Sequence, residues 1–399
     1  MNETLQSDNK RAAGVITTSA FVSLFVYSLV VSLPAILINE VVDAFSLEGT
    51  DEGLMGALTS FGFLISIFFV VLVQGRAQKI TVLVIALIMQ ALVLAFCGFS
   101  HTFLLFCIGC TLIGFSGGFI DTFCNSAVVD AQKEERAKYL GFLHGLFGVG
   151  SLLAPILFVW ALIYMDWRGV HYALAAASVL VVIFIFLITR GVLKKNEAVT
   201  AREHLFTKAD IITHLRNKHN VILAFASFFA MFTIACTMMW IVRYMTVRYD
   251  AADLGALSIT VYWICSTINR FLSSKFTKRA PMKVFTLGAI LSGIFLLIGI
   301  LSGSPVVLCV MIGAVGFCSG HFVPVLISSS SVGNEGRTTF TTSFIMFVMC
   351  LSRISAPIIM AFFSTHISLT YSMIIPVVSA LAVAVFGWLA IKTEKMESV

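Results

Sequence analysis

Long apolar runs separated by short polar loops cover almost the whole chain. Twelve of these runs are about 20 residues or longer, and each can cross the roughly 30 Å hydrocarbon core of a bilayer as an α-helix. The pattern therefore predicts an all-α integral membrane protein with twelve transmembrane helices. The predicted spans are residues 14–41, 53–75, 80–98, 103–128, 138–163, 170–190, 219–246, 254–275, 283–302, 305–331, 339–363 and 368–392.

One long polar segment divides these runs into two groups of six. The predicted domains are an N-terminal six-helix bundle of residues 1–192, a cytoplasmic linker of residues 193–218 and a C-terminal six-helix bundle of residues 219–399. Within the linker, the stretch AREHLFTKADIITHLRNKH has apolar residues at helical spacing. That spacing is compatible with a short surface helix and equally with a solvated linker.

Short motifs recur in the two groups at a nearly constant offset. GALTS at Gly56 corresponds to GALSI at Gly255, and IGFSGG at Ile113 corresponds to VGFCSG at Val315. Such matches indicate a duplicated six-helix unit. Both copies begin on the same side of the membrane, so an axis along the membrane normal would relate them.

The composition agrees with a membrane protein and excludes a soluble one. Hydrophobic residues make up 59% of the chain and charged residues 12%, and the mean hydropathy is +1.00, far from the mixture typical of soluble domains. Most of the 26 Lys and Arg residues fall in the loops on the side of the N-terminus. Because basic residues favour cytoplasmic loops, we expect a multi-pass protein of the cell (inner or plasma) membrane with both termini in the cytoplasm, and no nucleic-acid partner.

The residues give no sign of an enzyme, a metal site or a cofactor. All nine cysteines fall inside predicted spans without a metal-binding pair of motifs, so we interpret them as small packing residues. The chain has no phosphate-cradling Gly-Lys-Ser/Thr motif and no His/Glu metal pair on a helix. We expect neither metal nor cofactor.

Two parallel six-helix halves in about 400 residues resemble the major facilitator superfamily. In that superfamily the loop after the second helix usually reads like G-x-x-x-D-R-x-G-R-K. Here the loop reads VLVQGRAQKI, which retains Arg76 and Lys79 but has Gly75 where the acid is expected. The resemblance implies a gating role for Arg76 and Lys79, and it leaves a salt bridge built on the usual Asp without its acid.

Four further stretches are similar to the fucose-permease-like branch of sugar:proton symporters. They are GFSGGFIDTFCNSAVV, KYLGFLHGLFGVGSLLAP, MWIVRYM and INRFLSSKFTKRAPMKVF. The resemblance implies a sugar or related small polar solute as substrate, and gating roles for Arg270 and Arg279. The chain departs from some relatives, because Ala235, Cys236 and Thr237 replace an acid before Trp240 and the first helix has no buried Asp.

Asp121 is the only acid deep within a predicted span. Buried ionisable groups in a bilayer are costly and usually mark a transport pathway. Asn125 follows four residues later on the same helical face, and Gly114, Gly117 and Gly118 allow a neighbouring helix to approach closely. We predict that Asp121 binds and releases the coupling proton, with His144 as a relay or a substrate ligand and Asn125 as a substrate contact. The alternative is a structural acid held by His144 or an Arg.

Candidate substrate contacts come from aromatic and cationic side chains. Trp240 and Tyr244 share a face at i, i+4, and Trp263 follows in the next span. Such rings can stack on a sugar while their polar atoms bind hydroxyls, or they can anchor the membrane interface. Arg353 is predicted either to bind an anionic group or to pair with Asp121 or helix carbonyls. His321 is predicted as a substrate contact, although a packed, hydrogen-bonded histidine fits its helical position better.

Together these features predict a secondary active transporter that moves a small polar solute by alternating access, with proton symport as the preferred mechanism. Alternatives are transport of an organic anion such as a sugar acid, drug or metabolite efflux by antiport, and a non-transporting membrane sensor. Sodium as the coupling ion and uniport also stay open. The expected partners are the small-molecule substrate, the coupling ion and membrane lipid, and one chain is expected to function as a monomer.

Overall fold

A computed structural model of the chain describes residues 2–47, 54–192, 203–277 and 280–397, and those residues are helical without a β-strand. The helices are α1 (Asn2–Ile36), α2 (Ile38–Phe45), α3 (Leu54–Val73), α4 (Lys79–Phe99), α5 (Phe103–Gln132), α6 (Arg136–Leu162), α7 (Trp167–Thr189), α8 (Lys208–Arg216), α9 (Lys218–Tyr249), α10 (Ala252–Thr277), α11 (Pro281–Leu301), α12 (Pro305–Ser319), α13 (Phe322–Ser330), α14 (Thr338–His366), α15 (Leu369–Ser372) and α16 (Ile375–Glu397).

These helices form twelve spans, which confirms the predicted fold class. Hydropathy alone finds nine candidate stretches among the described residues. One of the nine, residues 103–162, contains both α5 and α6, and α3 offers only the shorter apolar segment Ala57–Val73. Helix α10 falls below the hydropathy limit because it is rich in Ser and Thr and contains Arg270.

Besides the twelfth, which divides at Met373 and Ile374 into α15 and α16, two predicted spans are interrupted in the structure. The first predicted span divides at Leu37 into α1 and α2. The tenth divides into α12 and α13 at Gly320 and His321. At this second break the backbone lies so close to α10 that a Cβ on Gly320 would be 2.4 Å from the carbonyl oxygen of Ser266. The break therefore occurs where only glycine permits the contact.

Two compact units emerge from the contacts along the chain. Unit 1 comprises Met1–Tyr139, Leu146–Phe206 and Asn334–Ser343. Unit 2 comprises Leu140–Gly145, Thr207–Gly333 and Phe344–Val399. The units differ from the predicted domains because residues 140–145 group with unit 2 and residues 334–343 group with unit 1.

Helix pairing within unit 1 brings α3 and α5 closest together, and it also pairs α4 with α7, α4 with α5, and α1 with α5. Glycines make the α3–α5 contact possible. A Cβ on Gly62 would lie 1.8 Å from the carbonyl oxygen of Thr111, and one on Gly114 would lie 1.8 Å from that of Thr59. Close backbone approach of this kind is the usual way that helices associate in membranes.

Unit 2 repeats most of this pairing six spans later, but α9 packs chiefly on α16, whereas the corresponding α1 packs chiefly on α5. Helix α10 packs on α12, α9 and α11 both pack on α16, and α11 packs on α12. Gly316 plays the part that Gly114 plays in unit 1, because its Cβ would lie 2.4 Å from the carbonyl oxygen of Tyr262. The shared scheme agrees with the duplicated motifs of the sequence.

Each unit has an apolar core cluster towards the ends of the spans away from the linker. In unit 1 this core includes Leu33, Leu94, Phe106, Trp167 and Leu174. In unit 2 it includes Ile241, Met245, Leu296, Leu308 and Met360. The opposite ends of the spans, called the linker side below, contain the buried charged groups, so the polar chemistry of the molecule lies there and at mid-helix.

Candidate functional site

Asp121 and Asn125 form a hydrogen-bonded pair in the middle of α5. The Asn125 Nδ2 donates to Asp121 Oδ1 at 2.8 Å and to the Asp121 main-chain oxygen at 2.8 Å. Asn125 is fully buried, whereas Asp121 is half-buried. The i, i+4 spacing predicted that the two side chains share a face, and the structure places them in contact.

Glycines on α5 bring two polar neighbours towards this pair. A Cβ on Gly117 would lie 2.5 Å from the hydroxyl of Tyr27 in α1, and a Cβ on Gly118 would lie within contact of the Ser66 hydroxyl in α3. A larger residue at either position would separate α5 from those helices. The glycines therefore bring these two hydroxyl groups against the turn of α5 that precedes Asp121.

Arg270 is the buried cation of unit 2. Its Nε donates to the main-chain oxygen of Gly320 at 3.1 Å, and its Nη1 donates to that of His144 at 3.0 Å. The Trp263 ring lies 5.9 Å from its guanidinium carbon, within the range of a cation–π contact. Among the described residues, no carboxylate lies within ion-pair distance of Arg270. Its contacts hold the α12–α13 break and the start of α6 to α10.

His321 lies at this same break and is buried. Its Nδ1 is 3.0 Å from the side-chain amide of Asn269, and its Nε2 is 3.2 Å from the carbonyl oxygen of Val284. Both ring nitrogens are therefore occupied by protein groups in this conformation. His144 is also buried and presents its main-chain oxygen to Arg270.

The predicted aromatic contacts fall in different environments. Tyr244 is only 1% exposed and packs in the apolar core of unit 2, with its ring centroid 6.0 Å from that of Tyr249. Trp240 is half-buried beside the guanidinium of Arg243, 5.7 Å from its ring. Trp263 is half-buried and contacts Arg270. Trp240 and Trp263 thus retain surface that a solute can contact, whereas Tyr244 does not in this conformation.

Arg353 is exposed on α14, and among the described residues no hydrogen bond or ion pair involves it. The exposed apolar side chains of this helix are Leu351, Ile354, Ile358 and Phe362. Arg353 lies roughly 100° to 180° around the helix from them. The guanidinium therefore does not share the apolar, lipid-facing stripe of α14.

A second charged cluster, which the sequence did not predict, lies on the linker side of unit 1. Lys79 Nζ is 2.6 Å from Asp130 Oδ2 and 3.0 Å from Glu203 Oε1. It also donates to the Thr338 hydroxyl at 2.5 Å. That hydroxyl lies 2.8 Å from each carboxylate. We call Lys79, Asp130, Glu203 and Thr338 the Lys79 cluster.

The other predicted gating residues are placed differently. Arg76 is exposed and makes no ion pair among the described residues, and Arg279 lies outside the described residues. One feature of the sequence hints that Lys79 has acidic partners elsewhere in the chain. Gly75 replaces the expected acid, and carboxylates from elsewhere in the chain balance Lys79 in the structure. Nothing in the sequence shows which of the distant acids supply them.

No group of three or more His, Cys, Asp or Glu side chains is arranged to hold a metal ion in the part of the chain that the structure describes. The nine cysteines are free thiols, and seven of them are buried.

Comparison with known proteins identifies one family. Residues 18–286 match the model of the Major Facilitator Superfamily. No protein with a curated description matches the chain in sequence.

Several solved structures share the fold. The chain is similar to FucP, described as a major facilitator superfamily transporter in the outward conformation, with a TM-score of 0.75, 17% identity, and coverage of 95% of this chain and 99% of that one. A variant of the E. coli fucose:proton symporter FucP gives a TM-score of 0.73 at 17% identity, covering 94% and 98%. The human organic anion transporter MFSD10 gives 0.69 at 15% identity, covering 96% and 99%. At these identities the likeness establishes the fold alone.

Proposed function

The chain belongs to the major facilitator superfamily, whose members are membrane transporters, and from this membership we propose that it moves a sugar or sugar-like solute by proton symport. In such a protein the substrate binds near the bilayer midplane, and alternating access exposes the site first to one side and then to the other. The linker side is then cytoplasmic, because its loops carry most of the basic residues. One chain contains all twelve spans and acts as a monomer.

The Asp121–Asn125 pair is the observation that carries this proposal. A carboxylate held in mid-helix by a side-chain amide at 2.8 Å can exist charged or protonated, because the Asn125 amide donates to either form. A charged carboxylate resists removal from water, whereas a protonated one does not. Proton binding at Asp121 therefore lowers the cost of enclosing the site together with its substrate.

The remaining contacts fit a small polyhydroxylated solute. Trp240 and Trp263 provide half-buried aromatic faces on which a sugar ring can stack. Structural neighbours support the same class, since FucP is described as a fucose:proton symporter and XylE as a proton:xylose symporter.

Uptake into proteoliposomes tests the proposal. The native chain is supplied with radiolabelled sugars and sugar acids, with and without an inward proton gradient. Asp121→Asn is expected to abolish gradient-driven accumulation while retaining exchange of substrate between equal concentrations. Asp253→Asn is the matched control, because Asp253 is an exposed acid at the start of α10. If the Asp121→Asn variant accumulates substrate at the native level, Asp121 does not couple transport to protons. If uptake follows a sodium gradient instead, sodium is the coupling ion.

Transport of an organic anion is the second candidate. Arg353 is exposed away from the apolar stripe of α14 and offers planar donors that suit a carboxylate. One neighbour in fold, MFSD10, is described as an organic anion transporter. In the same assay, Arg353→Gln is expected to reduce uptake of sugar acids by about tenfold or more if the substrate is an anion. Uptake of a neutral sugar would be unchanged.

A further inference from the structure

Residues 203–206, towards the end of the linker, pack against other segments of unit 1. Gln74 Nε2 donates to the main-chain oxygen of His204 at 3.1 Å, and the His204 N–H donates to the main-chain oxygen of Gly336 at 3.1 Å. Phe206 then stacks on Phe340 with ring centroids 5.6 Å apart. Residues 203–206 are thus bonded on one side to the loop after α3 and on the other to the segment that leads into α14.

The carboxylate of Glu203 binds the beginning of α14. Its Oε1 accepts from the Thr339 N–H at 2.9 Å and lies 2.8 Å from the Thr338 hydroxyl and 3.0 Å from Lys79 Nζ. The first N–H groups of a helix have no partner within the helix, and the positive end of its dipole favours an anion. Glu203 satisfies both requirements.

Glu203 is held in its charged form although it is only 9% exposed. Burial by itself raises the pKa of this carboxyl. The Lys79 ammonium and the hydrogen bonds from Thr339 and Thr338 more than offset that effect, so the pKa of Glu203 lies below its ordinary value. A charged, buried carboxylate with these partners is costly to separate from them.

Gly75 explains why the linker can reach this position. Its φ of +76° lies in the left-handed region, and a Cβ there would be 2.6 Å from the main-chain oxygen of Glu203. Any other residue at position 75 would collide with the linker. Glycine at position 75, which stands where an acid is expected, therefore also leaves room for the main chain of Glu203.

We propose that Glu203 is a latch by which the linker itself keeps the linker side closed. The latch ties the start of α14, from the second half of the sequence, to Lys79 of α4 and, through Lys79, to Asp130 of α5. The linker side opens only when water replaces the contacts of Glu203 with Thr338, Thr339 and Lys79. The proposal rests on alternating access but on no particular substrate.

Accessibility of a buried cysteine tests the latch. Thr342 lies one turn after Thr338, is fully buried and has a hydroxyl without a hydrogen bond among the described residues, so Thr342→Cys is a mild reporter substitution. A membrane-impermeant maleimide is applied from the linker side in substrate-free vesicles, and each cysteine is followed by peptide mass spectrometry. Glu203→Gln is expected to accelerate labelling at position 342 by about tenfold or more.

Two controls separate opening of the latch from general loosening. Glu135→Gln removes an acid from a partly exposed pair with Lys138 and is expected to leave the labelling rate unchanged. The native Cys97, buried at the far end of α4, should stay unlabelled in every variant. If Cys97 labels as fast as position 342, Glu203 stabilises the whole fold and the latch is overturned.

The remaining outcomes also decide the question. Equal labelling at position 342 in Glu203→Gln and the native chain overturns the latch. If Glu203→Gln does not accumulate as folded protein, Glu203→Asp is measured instead; its side chain is one methylene shorter, and about threefold faster labelling is expected. Labelling requires no solute, so a chain that fails the uptake assay can still pass this one, and the two proposals fail separately.

Discussion

Lys79 and Arg270 are both cations that the sequence assigned to gating, but only Lys79 is held mainly by charged side chains. Two carboxylates, a hydroxyl and, at 3.2 Å, the main-chain oxygen of Ser126 surround Lys79. Two main-chain carbonyls and an aromatic face surround Arg270. Contacts between side chains can be exchanged for water one by one, whereas the carbonyls that Arg270 binds belong to the backbone at a helix break. We therefore expect the contacts of Lys79 to open with the proposed latch, and Arg270 to act as a permanent brace of the break between α12 and α13.

The largest expected effect comes from removing the brace. Arg270→Ala leaves the carbonyl oxygens of Gly320 and His144 buried without their donor, and a loss of about 2–4 kcal/mol in the free energy of unfolding is expected. Arg270→Lys should lose less stability than Arg270→Ala, because lysine keeps the positive charge. It should still be less stable than the native chain, because one ammonium group cannot bind both carbonyl oxygens as the planar guanidinium does. Thermal unfolding in detergent measures both.

Arg76→Ala is the control for the brace. Arg76 is an exposed cation, and its removal should change the free energy of unfolding by no more than about 0.5 kcal/mol. If Arg270→Ala proves as stable as Arg76→Ala, the brace is wrong and the contrast with Lys79 disappears.

Lowering the pH should weaken the contacts of Lys79 but not those of Arg270, and the loss of stability should be smaller than in Arg270→Ala. The folded protein binds Glu203 charged, with a pKa below its ordinary value. The stability that Glu203 contributes is therefore complete above about pH 4.5 and is lost as the pH falls through the lowered pKa. Protonation of Glu203 weakens the Lys79 cluster, whereas Arg270 has no carboxylate partner among the described residues to lose. Thermal stability in Glu203→Gln should consequently vary less with pH below 4.5.

His214 in α8 also makes the stability depend on pH, in a higher pH range than Glu203. Burial lowers the pKa of His214 to about 4, so the unfolded chain takes up a proton near pH 6.5 that the folded chain accepts only in stronger acid. Stability should fall by about 3 kcal/mol as the pH drops from 6.5 to 4. His214→Gln should flatten that window, and substitution of the exposed His366 by Gln should leave it unchanged.

The smallest expected effect comes from substituting Gly75, which leaves room for the main chain of Glu203. Gly75→Ala and Gly191→Ala both place a side chain at positive φ, +76° and +85° respectively, which costs about 1 kcal/mol. Only position 75 is crowded, because nothing lies within 4 Å of a Cβ at Gly191. Faster labelling of Thr342→Cys is expected with Gly75→Ala and not with Gly191→Ala. Equal rates in the two variants would show that the linker does not depend on the glycine.

The sequence by itself determined the features that depend on local pattern. Runs of apolar residues fixed twelve spans, because a bilayer requires each crossing helix to be long and apolar. The spacing of Asp121 and Asn125 fixed their contact, because residues four apart share one face of a helix. The repeated glycine motifs indicated the shared packing scheme, and small residues such as Gly114 and Gly316 provide its closest contacts.

Only the tertiary structure decided how the charges are paired. Glu203 and Thr338 are separated by 135 positions in the chain, and no periodicity connects residues that meet through folding. The division of the tenth span at Gly320 likewise depends on the approach of α10. Charge pairing in a buried site depends on distance and desolvation, which a linear pattern does not contain, and for that reason the partner of Lys79 could be sought in the sequence but identified only in the fold.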